Sequence, residues 1–112
     1  MTYKYIVMDM DDTLLTSKNE ISEVTYQYLM EKQKEGMKLI LASGRPTAGM
    51  IKHAEVLDLK SYGGYIVSYN GAFVINAEDQ SILFNQTISQ KDAHDIIDYC
   101  RSHNFFYLTY LN

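Results

Sequence analysis

Three carboxylates follow an apolar run near the start of the chain. Within IVMDMDDTLL, at Ile6–Leu15, the residues Asp9, Asp11 and Asp12 take three of four consecutive positions. Carboxylates this close are tolerated when one of them is protonated or when a cation lies among them. Oxygen ligands suit Mg²⁺, and an ionised aspartate can attack phosphorus while a second aspartate transfers a proton. A solvated turn or a helix cap is the structural alternative, and the position after a buried strand favours the chemical interpretation.

A small hydroxyl residue and a glycine end the next apolar run, LILASGRP. The hydroxyl of Ser43, the backbone at Gly44 and the start of the following helix form a pattern typical of phosphate binding, because N–H groups and the helix dipole attract anions. Arg45 adds a positive charge that either contacts the substrate or lies in solvent. Taken with the aspartate cluster, this segment predicts a phosphate site at Ser43.

A third segment, SYNGA, contains the pair Asn70-Gly71. This pair is a strong signal for a tight hairpin turn, because both residue types tolerate left-handed backbone conformations. We therefore predict a turn here and keep direct substrate contact by Asn70 as the alternative. The histidines and the single cysteine lack metal-ligand spacing and are expected to pack or to face solvent; they are His53, His94, His103 and Cys100.

The elements that must position these residues alternate between strands and helices. Apolar runs predict a strand buried on both faces at YKYIVMDM, a second buried strand at MKLILAS and a third strand within GGYIVSYNG. Ser22 caps a predicted helix over residues 22–35 that Gly36 ends, and Pro46 begins another helix at about residues 47–57. The apolar stripe of this second helix consists of Met50, Ile51, Ala54 and Leu57.

The last third of the chain predicts a hairpin, a helix and a strand. The runs AFVIN and SILFN, separated by the polar AEDQ, are typical of a β-hairpin. Ser89 caps a final helix, and NFFYLTYLN then predicts a strand. One face of the final helix is apolar and carries Ala93, Ile96, Ile97 and Cys100.

Strands and helices in this order predict an α/β fold, with a Rossmann-like parallel sheet and right-handed crossovers. Ligands of such sheets bind at the carboxyl ends of the strands. The candidate residues all follow strand ends, so we expect them to meet on one rim; they are Asp9, Asp11, Ser43, Gly44 and Asn70.

Composition restricts the class of protein. The chain has 112 residues, 46% of them hydrophobic, which suits one small domain with a buried core. A net charge of −4 argues against nucleic acid or an anionic membrane as the main partner. The single cysteine forms no internal disulfide and fits a reducing compartment. The sequence has no apolar run near the ~20 residues of a membrane span and no signal-peptide pattern, so we expect a cytoplasmic location.

The motifs together resemble the haloacid dehalogenase-like (HAD) phosphohydrolase superfamily. Its first motif, an apolar strand followed by Asp-x-Asp-x-Thr/Val, is matched by IVMDMDDTLL, and its second, an apolar strand ending in Ser or Thr, by KLILAS. The segments DMDDTLLTSKNEIS, LASGRP and VSYNGA are similar to the Cof-type branch, which acts mainly on sugar phosphates and other phosphorylated metabolites.

This resemblance implies a role for each matched position. Asp9 would be the nucleophile and a Mg²⁺ ligand, and Asp11 would be the general acid and base and bind Mg²⁺ through its backbone carbonyl. The backbone of Met10, together with Ser43 and Gly44, would hold the phosphate. Asp12 stands where the family frequently has glycine and receives no catalytic role.

The resemblance also implies an organisation in two parts. Residues 1–83 would form the N-terminal part of a phosphatase core, and residues 84–112 the beginning of an α+β cap. The family's later lysine and GDxxND-like motifs have no match after Asn85, so we expect the N-terminal part of a phosphatase. The strand that carries Asp9 would then lie at a sheet edge and favour self-association.

The expected function is Mg²⁺-dependent hydrolysis of phosphorylated small metabolites through an aspartyl-phosphate. The missing motifs leave a second possibility open, a non-catalytic phosphate-binding or assembly fragment. A phosphomutase, which uses the same covalent chemistry, is the third.

Overall fold

A single five-stranded sheet organises residues 3–110, the part of the chain that the computed structural model describes. Its strands are β1 Tyr5–Asp9, β2 Lys38–Ala42, β3 Tyr65–Ser68, β4 Phe73–Asn76 and β5 Ile82–Asn85. They lie in the order β1-β2-β3-β4-β5; the first three are parallel, and β4 and β5 are antiparallel to their neighbours. The predicted parallel α/β sheet and the predicted hairpin are therefore confirmed.

The helices of the described part are α1 Glu23–Lys34, α2 Ile51–Val56, α3 Leu59–Tyr62 and α4 Gln90–Ser102. The limits of α1 follow the sequence signals. The N–H of Thr25 donates to the Ser22 hydroxyl at 3.3 Å, which satisfies a free donor of the first turn. At the other end, Gly36 has φ of 101°, the left-handed conformation that ends helices.

The helix predicted at residues 47–57 is divided in two. A 3₁₀ turn at Thr47–Gly49 comes first, and α2 begins at Ile51, with Met50 between them at φ −111° and ψ −20°. The predicted apolar stripe faces the core, since Met50, Ala54 and Leu57 are buried.

The core lies on one face of the sheet. The register places Leu41, Ile66 and Ile75 side by side, so their side chains share that face, and Leu39 joins them from β2. These buried side chains pack in one hydrophobic cluster with residues of the helical layer, Leu29, Met50, Leu57 and Leu59.

β1 is an edge strand with one open face. Tyr5 and Val7 are 49% and 62% exposed, whereas Ile6 and Met8 are half-buried against the core. The prediction that this strand is buried on both faces is wrong, because no element of residues 3–110 covers its outer face. Its predicted place at the sheet edge is confirmed, since β2 is its neighbour and the described part supplies no strand on the other side.

The segment after α4 forms no strand over residues 105–110, so the strand predicted at NFFYLTYLN is wrong for these residues. Its last two positions, 111 and 112, lie outside the described residues. A strand needs a partner edge for its backbone groups, and no strand of the described part pairs with this segment. The predicted apolar face of α4 is likewise only half-covered, and Ile96 on that face is 53% exposed.

The proposed division at residues 83 and 84 falls within β5, which pairs with β4, and it stays a prediction. Across residues 3–110, no helix combines the length and the apolar character needed to cross a bilayer.

His53 is a buried titratable group on α2, with 6% of its surface exposed. Burial is the main cause that lowers the pKa of His53 below its usual value of 6.5. The positive charges of Arg45 and Lys52 lower this pKa further, and Asp11 opposes them. The neutral imidazole is therefore the form that the folded protein favours.

We expect the free energy of unfolding to fall as the pH drops below about 6.5, because the unfolded chain then binds a proton that folded His53 resists. The variant His53→Gln should lose less stability over this range. The measurement is urea unfolding of both proteins at about pH 7.5 and about pH 5.5. His94→Gln, at an exposed position of α4, is the matched control and should behave like the wild type. Equal losses in the wild type and His53→Gln would contradict this explanation.

Candidate active site at the strand ends

The carboxyl ends of β1, β2 and β3 lie side by side. The register pairs Asp9 with Ala42 and Ala42 with Val67. The segments that follow these strands therefore meet at one edge of the sheet: the turn Met10–Leu14, the loop of residues 43–46 and the turn Tyr69–Gly71. The parallel topology brings all the sequence-predicted positions to this rim, as the rule for open α/β sheets requires.

The turn after β1 directs the first two aspartates away from the core. Oδ1 of Asp9 accepts a hydrogen bond from the N–H of Met10 at 2.7 Å, and the N–H of Leu15 closes the turn on the Met10 carbonyl at 2.9 Å. Met10 is fully buried and fixes the turn, whereas Asp9 and Asp11 are exposed. The two carboxylates are thus held at the surface by a buried side chain between them.

Asp12 lies where the backbone turns left-handed. Asp11 is still extended, at φ −68° and ψ 132°, but Asp12 has φ of 61°. Glycine adopts this conformation freely, and among other residues Asp and Asn adopt it best. This requirement explains an aspartate at a position where the resembled family frequently has glycine, without any chemical role for Asp12.

Ser43 is buried just after β2 and is held by β3 and by the turn that follows β3. Its N–H donates to the Val67 carbonyl at 2.9 Å, and its own carbonyl accepts from the N–H of Asn70 at 3.1 Å. Its hydroxyl oxygen accepts from the N–H of Arg45 at 3.1 Å. The hydroxyl proton therefore stays available for an acceptor such as a phosphate oxygen.

Arg45 and Asp11 form a two-point ion pair across the rim. Nε of Arg45 donates to Oδ2 of Asp11 at 3.0 Å, and Nη2 donates to Oδ1 at 2.6 Å. Hydrogen bonding from this guanidinium is the main reason that the pKa of Asp11 lies below its usual value of 3.8. The ion pair links the turn after β1 to the loop after β2.

Two further groups hold Arg45, and sequence reasoning found neither. Nη2 also donates to Oδ1 of Asn19 at 2.8 Å, and Nη1 donates to the Gly49 carbonyl at 3.1 Å. The only sequence signal was an asparagine in a polar turn, and Asn19 indeed has φ of 62°. Substrate contact by Arg45 stays a prediction.

Asn70 occupies a turn and touches the neighbouring loop. Tyr69, Asn70 and Gly71 all have positive φ, at 51°, 56° and 95°, and they join the antiparallel strands β3 and β4. The predicted turn is thus confirmed. The Asn70 amide also covers Gly44, where a Cβ atom would lie 2.8 Å from Oδ1 of Asn70. Asn70 therefore bears on the shape of the predicted phosphate loop, while its direct contact with substrate stays a prediction.

A magnesium ion would find part of its oxygen ligands at this rim. The ligands that the resemblance implies are the Asp9 carboxylate and the backbone carbonyl of Asp11. Mg²⁺ in proteins commonly takes one or two carboxylates and completes its shell with water and substrate phosphate. Within residues 3–110, no group of three or more His, Cys, Asp or Glu side chains is arranged to hold a metal. The donors therefore fit part of a magnesium site and do not form an all-protein cage.

Two pockets of the described part lie away from this rim. A pocket of about 720 Å³ lies between β1 and α1 and is lined by residues such as Tyr5, Tyr28 and Lys32. A second cavity, of about 250 Å³, lies between Ile51, Leu59 and Ile75. Neither is lined by Asp9, Asp11 or Ser43.

Comparisons with known proteins show similarity to haloacid dehalogenase-like hydrolases and phosphatases. The family model of haloacid dehalogenase-like hydrolases matches residues 6–112. The chain is similar to YxeH of Bacillus subtilis, with 33% identity over 86% of this chain and 36% of that protein. It is also similar to the phosphatase YwpJ of Bacillus subtilis, with 32% identity over 93% of this chain and 35% of that protein. The chain thus spans about a third of the length of these curated relatives.

A solved structure shares both the fold and the sequence pattern. The crystal structure of a haloacid dehalogenase-like hydrolase from Bacteroides thetaiotaomicron matches with a TM-score of 0.85 and 37% identity. The match covers 92% of this chain and 39% of that one.

Replacing Gly44 by Ala should destabilise the protein by on the order of 1 kcal/mol, because the new Cβ displaces the Asn70 amide. In an Asn70→Gly background, which keeps the left-handed turn and removes the amide, the same substitution should cost much less. Urea unfolding of the four proteins of this double-mutant cycle measures the difference. Gly49→Ala is the matched control, since its Cβ would meet Arg45 atoms at an ordinary 3.7 Å. Additive effects of the two substitutions would rule out the contact.

Proposed function

The chain belongs to the haloacid dehalogenase-like hydrolase family, and from this premise we propose that the protein is a Mg²⁺-dependent phosphatase. Its substrates would be phosphorylated small metabolites, with sugar phosphates as the main class, and Asp9 would carry the phosphoryl group as an aspartyl-phosphate. The phosphatase name of YwpJ supports the reaction type.

The observation that carries the proposal is the placement of Asp9 beside the end of β2. Asp9 pairs with Ala42, and the next residue along β2 is the buried Ser43. A nucleophilic carboxylate and a hydroxyl donor thus lie on adjacent strand ends, where a phosphate bound to one can be reached by the other. Asp11 lies on the same rim and is tied to the loop after β2 through Arg45.

In the first step, a carboxylate oxygen of Asp9 attacks phosphorus. The bond between phosphorus and the ester oxygen breaks, and Asp11 gives its proton to the departing alkoxide. Because Arg45 lowers the pKa of Asp11, this protonated form is the minor one in the protein without substrate. The Ser43 hydroxyl and the backbone N–H of Gly44 would bind the non-bridging oxygens, on which negative charge accumulates. The backbone N–H of Met10, which donates to Oδ1 of Asp9 in this structure, would turn to the phosphate as well. The product alcohol then leaves, and the phosphoryl group stays on Asp9.

In the second step, water attacks the phosphorus of the aspartyl-phosphate. Asp11, now ionised, accepts a proton from this water, and the bond between Asp9 and phosphorus breaks to give inorganic phosphate and the free carboxylate. A magnesium ion held by the Asp9 carboxylate and the Asp11 carbonyl would supply charge screening and phosphate orientation.

The remaining parts of the proposal concern the setting of the reaction. Residues 84–112 would begin a cap that shapes the substrate pocket, above a core that starts at residues 1–83. We propose a cytoplasmic location, which the single cysteine favours, and no nucleic-acid or membrane partner. Within residues 3–110, β1 has no partner strand on its outer edge, which supports the proposed self-association.

Asp9→Asn should lower kcat of the whole protein with sugar phosphates by at least about a thousandfold, because an amide oxygen is a poor nucleophile. Steady-state phosphate release with Mg²⁺ measures this loss, and chelation of Mg²⁺ should also remove activity. Asp12→Asn is the matched control, because it removes the adjacent charge while asparagine tolerates the same left-handed backbone. Asp12→Asn should stay within about twofold of the wild type.

Equal activity of Asp9→Asn and the wild type would contradict the assignment of Asp9 as the nucleophile. Transfer of phosphate to a second sugar position would identify a phosphomutase. Binding of phosphate without any turnover in the whole protein would favour the non-catalytic alternative, which the limited set of metal-binding side chains in residues 3–110 also keeps open.

A further inference from the structure

The guanidinium of Arg45 is almost fully used within the protein. Four of its five N–H bonds are donated: two to Asp11, one to Asn19 and one to the Gly49 carbonyl. These partners come from three separate segments, namely the turn after β1, the loop before α1 and the 3₁₀ turn before α2. One N–H bond, on Nη1, remains for any other ligand. Most of the hydrogen-bonding capacity of Arg45 is therefore taken by groups of the protein itself.

The two members of the ion pair differ in how firmly they are held. The side chain of Asp11 is 58% exposed, whereas that of Arg45 is 25% exposed and is fixed by Asn19 and Gly49 as well. An exposed carboxylate alone rotates freely about its side-chain bonds. Two parallel bonds from a planar guanidinium remove that freedom and set the plane of the carboxylate.

We propose that Asn19 and Gly49 hold Arg45 as a clamp that orients the Asp11 carboxylate for proton transfer. Arg45 and Asn19 are then positioning residues for the reaction, and they act through Asp11. This inference rests on the proposed function, in which Asp11 gives and accepts the proton.

The clamp leaves Asp11 able to reach a substrate. A carboxylate offers about four lone-pair sites, and Arg45 takes one on each oxygen. The Asp11 side chain stays 58% exposed, so the remaining sites are accessible from solvent. The arrangement thus restricts the direction of the carboxylate without blocking it.

Backbone hydrogen bonds of its own loop fix the position of Asn19. The N–H of Thr16 donates to the Glu20 carbonyl at 2.7 Å, and the N–H of Asn19 donates to the Thr16 carbonyl at 2.9 Å, which closes a tight loop. Asn19 takes φ of 62° within it. Glycine also adopts this conformation, so Asn19→Gly removes the amide and keeps the loop.

The test compares two esters in the whole protein. An alkyl phosphate such as glycerol 3-phosphate needs a proton on its leaving oxygen, whereas 4-nitrophenyl phosphate releases a stable anion and needs little help. For Asn19→Gly and for Arg45→Lys, we expect kcat with the alkyl ester to fall by about tenfold or more. We expect kcat with the nitrophenyl ester to fall by less than about threefold, and KM to stay within about threefold for both.

Two companion variants sharpen the test. Asn19→Asp keeps an acceptor oxygen for Nη2 of Arg45 and should recover most of the alkyl-ester rate that Asn19→Gly loses. Gln80→Gly, at a left-handed position with φ of 61° in the β4–β5 turn, controls for the glycine substitution itself and should change neither rate. Equal losses with both esters, or a change confined to KM, would overturn the positioning role.

A second measurement separates the clamp from the phosphatase proposal. In NMR spectra, the Nε–H signal of Arg45 should be resolved and slow to exchange in the wild type and in Gln80→Gly, and should weaken in Asn19→Gly. An unchanged signal in Asn19→Gly would overturn the clamp whatever the activity. If the wild type hydrolyses neither ester, the phosphatase proposal and the catalytic use of the clamp both fall.

Discussion

Parallel pairing of β1 with β2 is the constraint on which the candidate site depends. The register sets Asp9 beside Ala42, and it is fixed by apolar side chains such as Leu39 and Leu41 that face the core. A shift of one residue would turn those side chains to the other face of the sheet, so the register is strongly determined. The position of the candidate nucleophile is therefore set by residues that take no part in chemistry.

The three carboxylates of the aspartate cluster have different surroundings. Asp9 accepts a backbone N–H from Met10, Asp11 pairs with Arg45, and Asp12 lies at a left-handed backbone position. The sequence suggested a cation as the common solution, but within residues 3–110 an arginine neutralises one carboxylate directly. Asp9, like Asp12, has no cationic side-chain partner in the described part, as a nucleophile and metal ligand would require.

Burial in the described part is one-sided. Leu39, Leu41 and Ile66 are almost fully covered, yet Tyr5 and Val7 on the outer face of β1 are largely exposed. The core is nonetheless sufficient to position the rim, because Met10 and Ser43 are anchored from the buried face. The open edge and outer face are the kind of surface that proteins usually cover or use for association.

The sequence by itself determined most of the strands and helices and singled out the residues for which chemistry is proposed. Apolar runs and capping signals predicted β1 to β5, α1 and α4, and the aspartate spacing singled out Asp9 and Asp11, because these patterns are local along the chain. Other features depend on contacts between distant segments, and no local pattern contains them. The exposure of β1 depends on what covers its outer face, and the absence of a strand at residues 105–110 depends on the lack of a partner edge. The hydrogen bond from Arg45 to Asn19, 26 residues away, forms only when the loop before α1 and the loop after β2 meet in space. Tertiary structure alone decided that Arg45 contacts Asp11, because the folded sheet brings their two loops to the same rim.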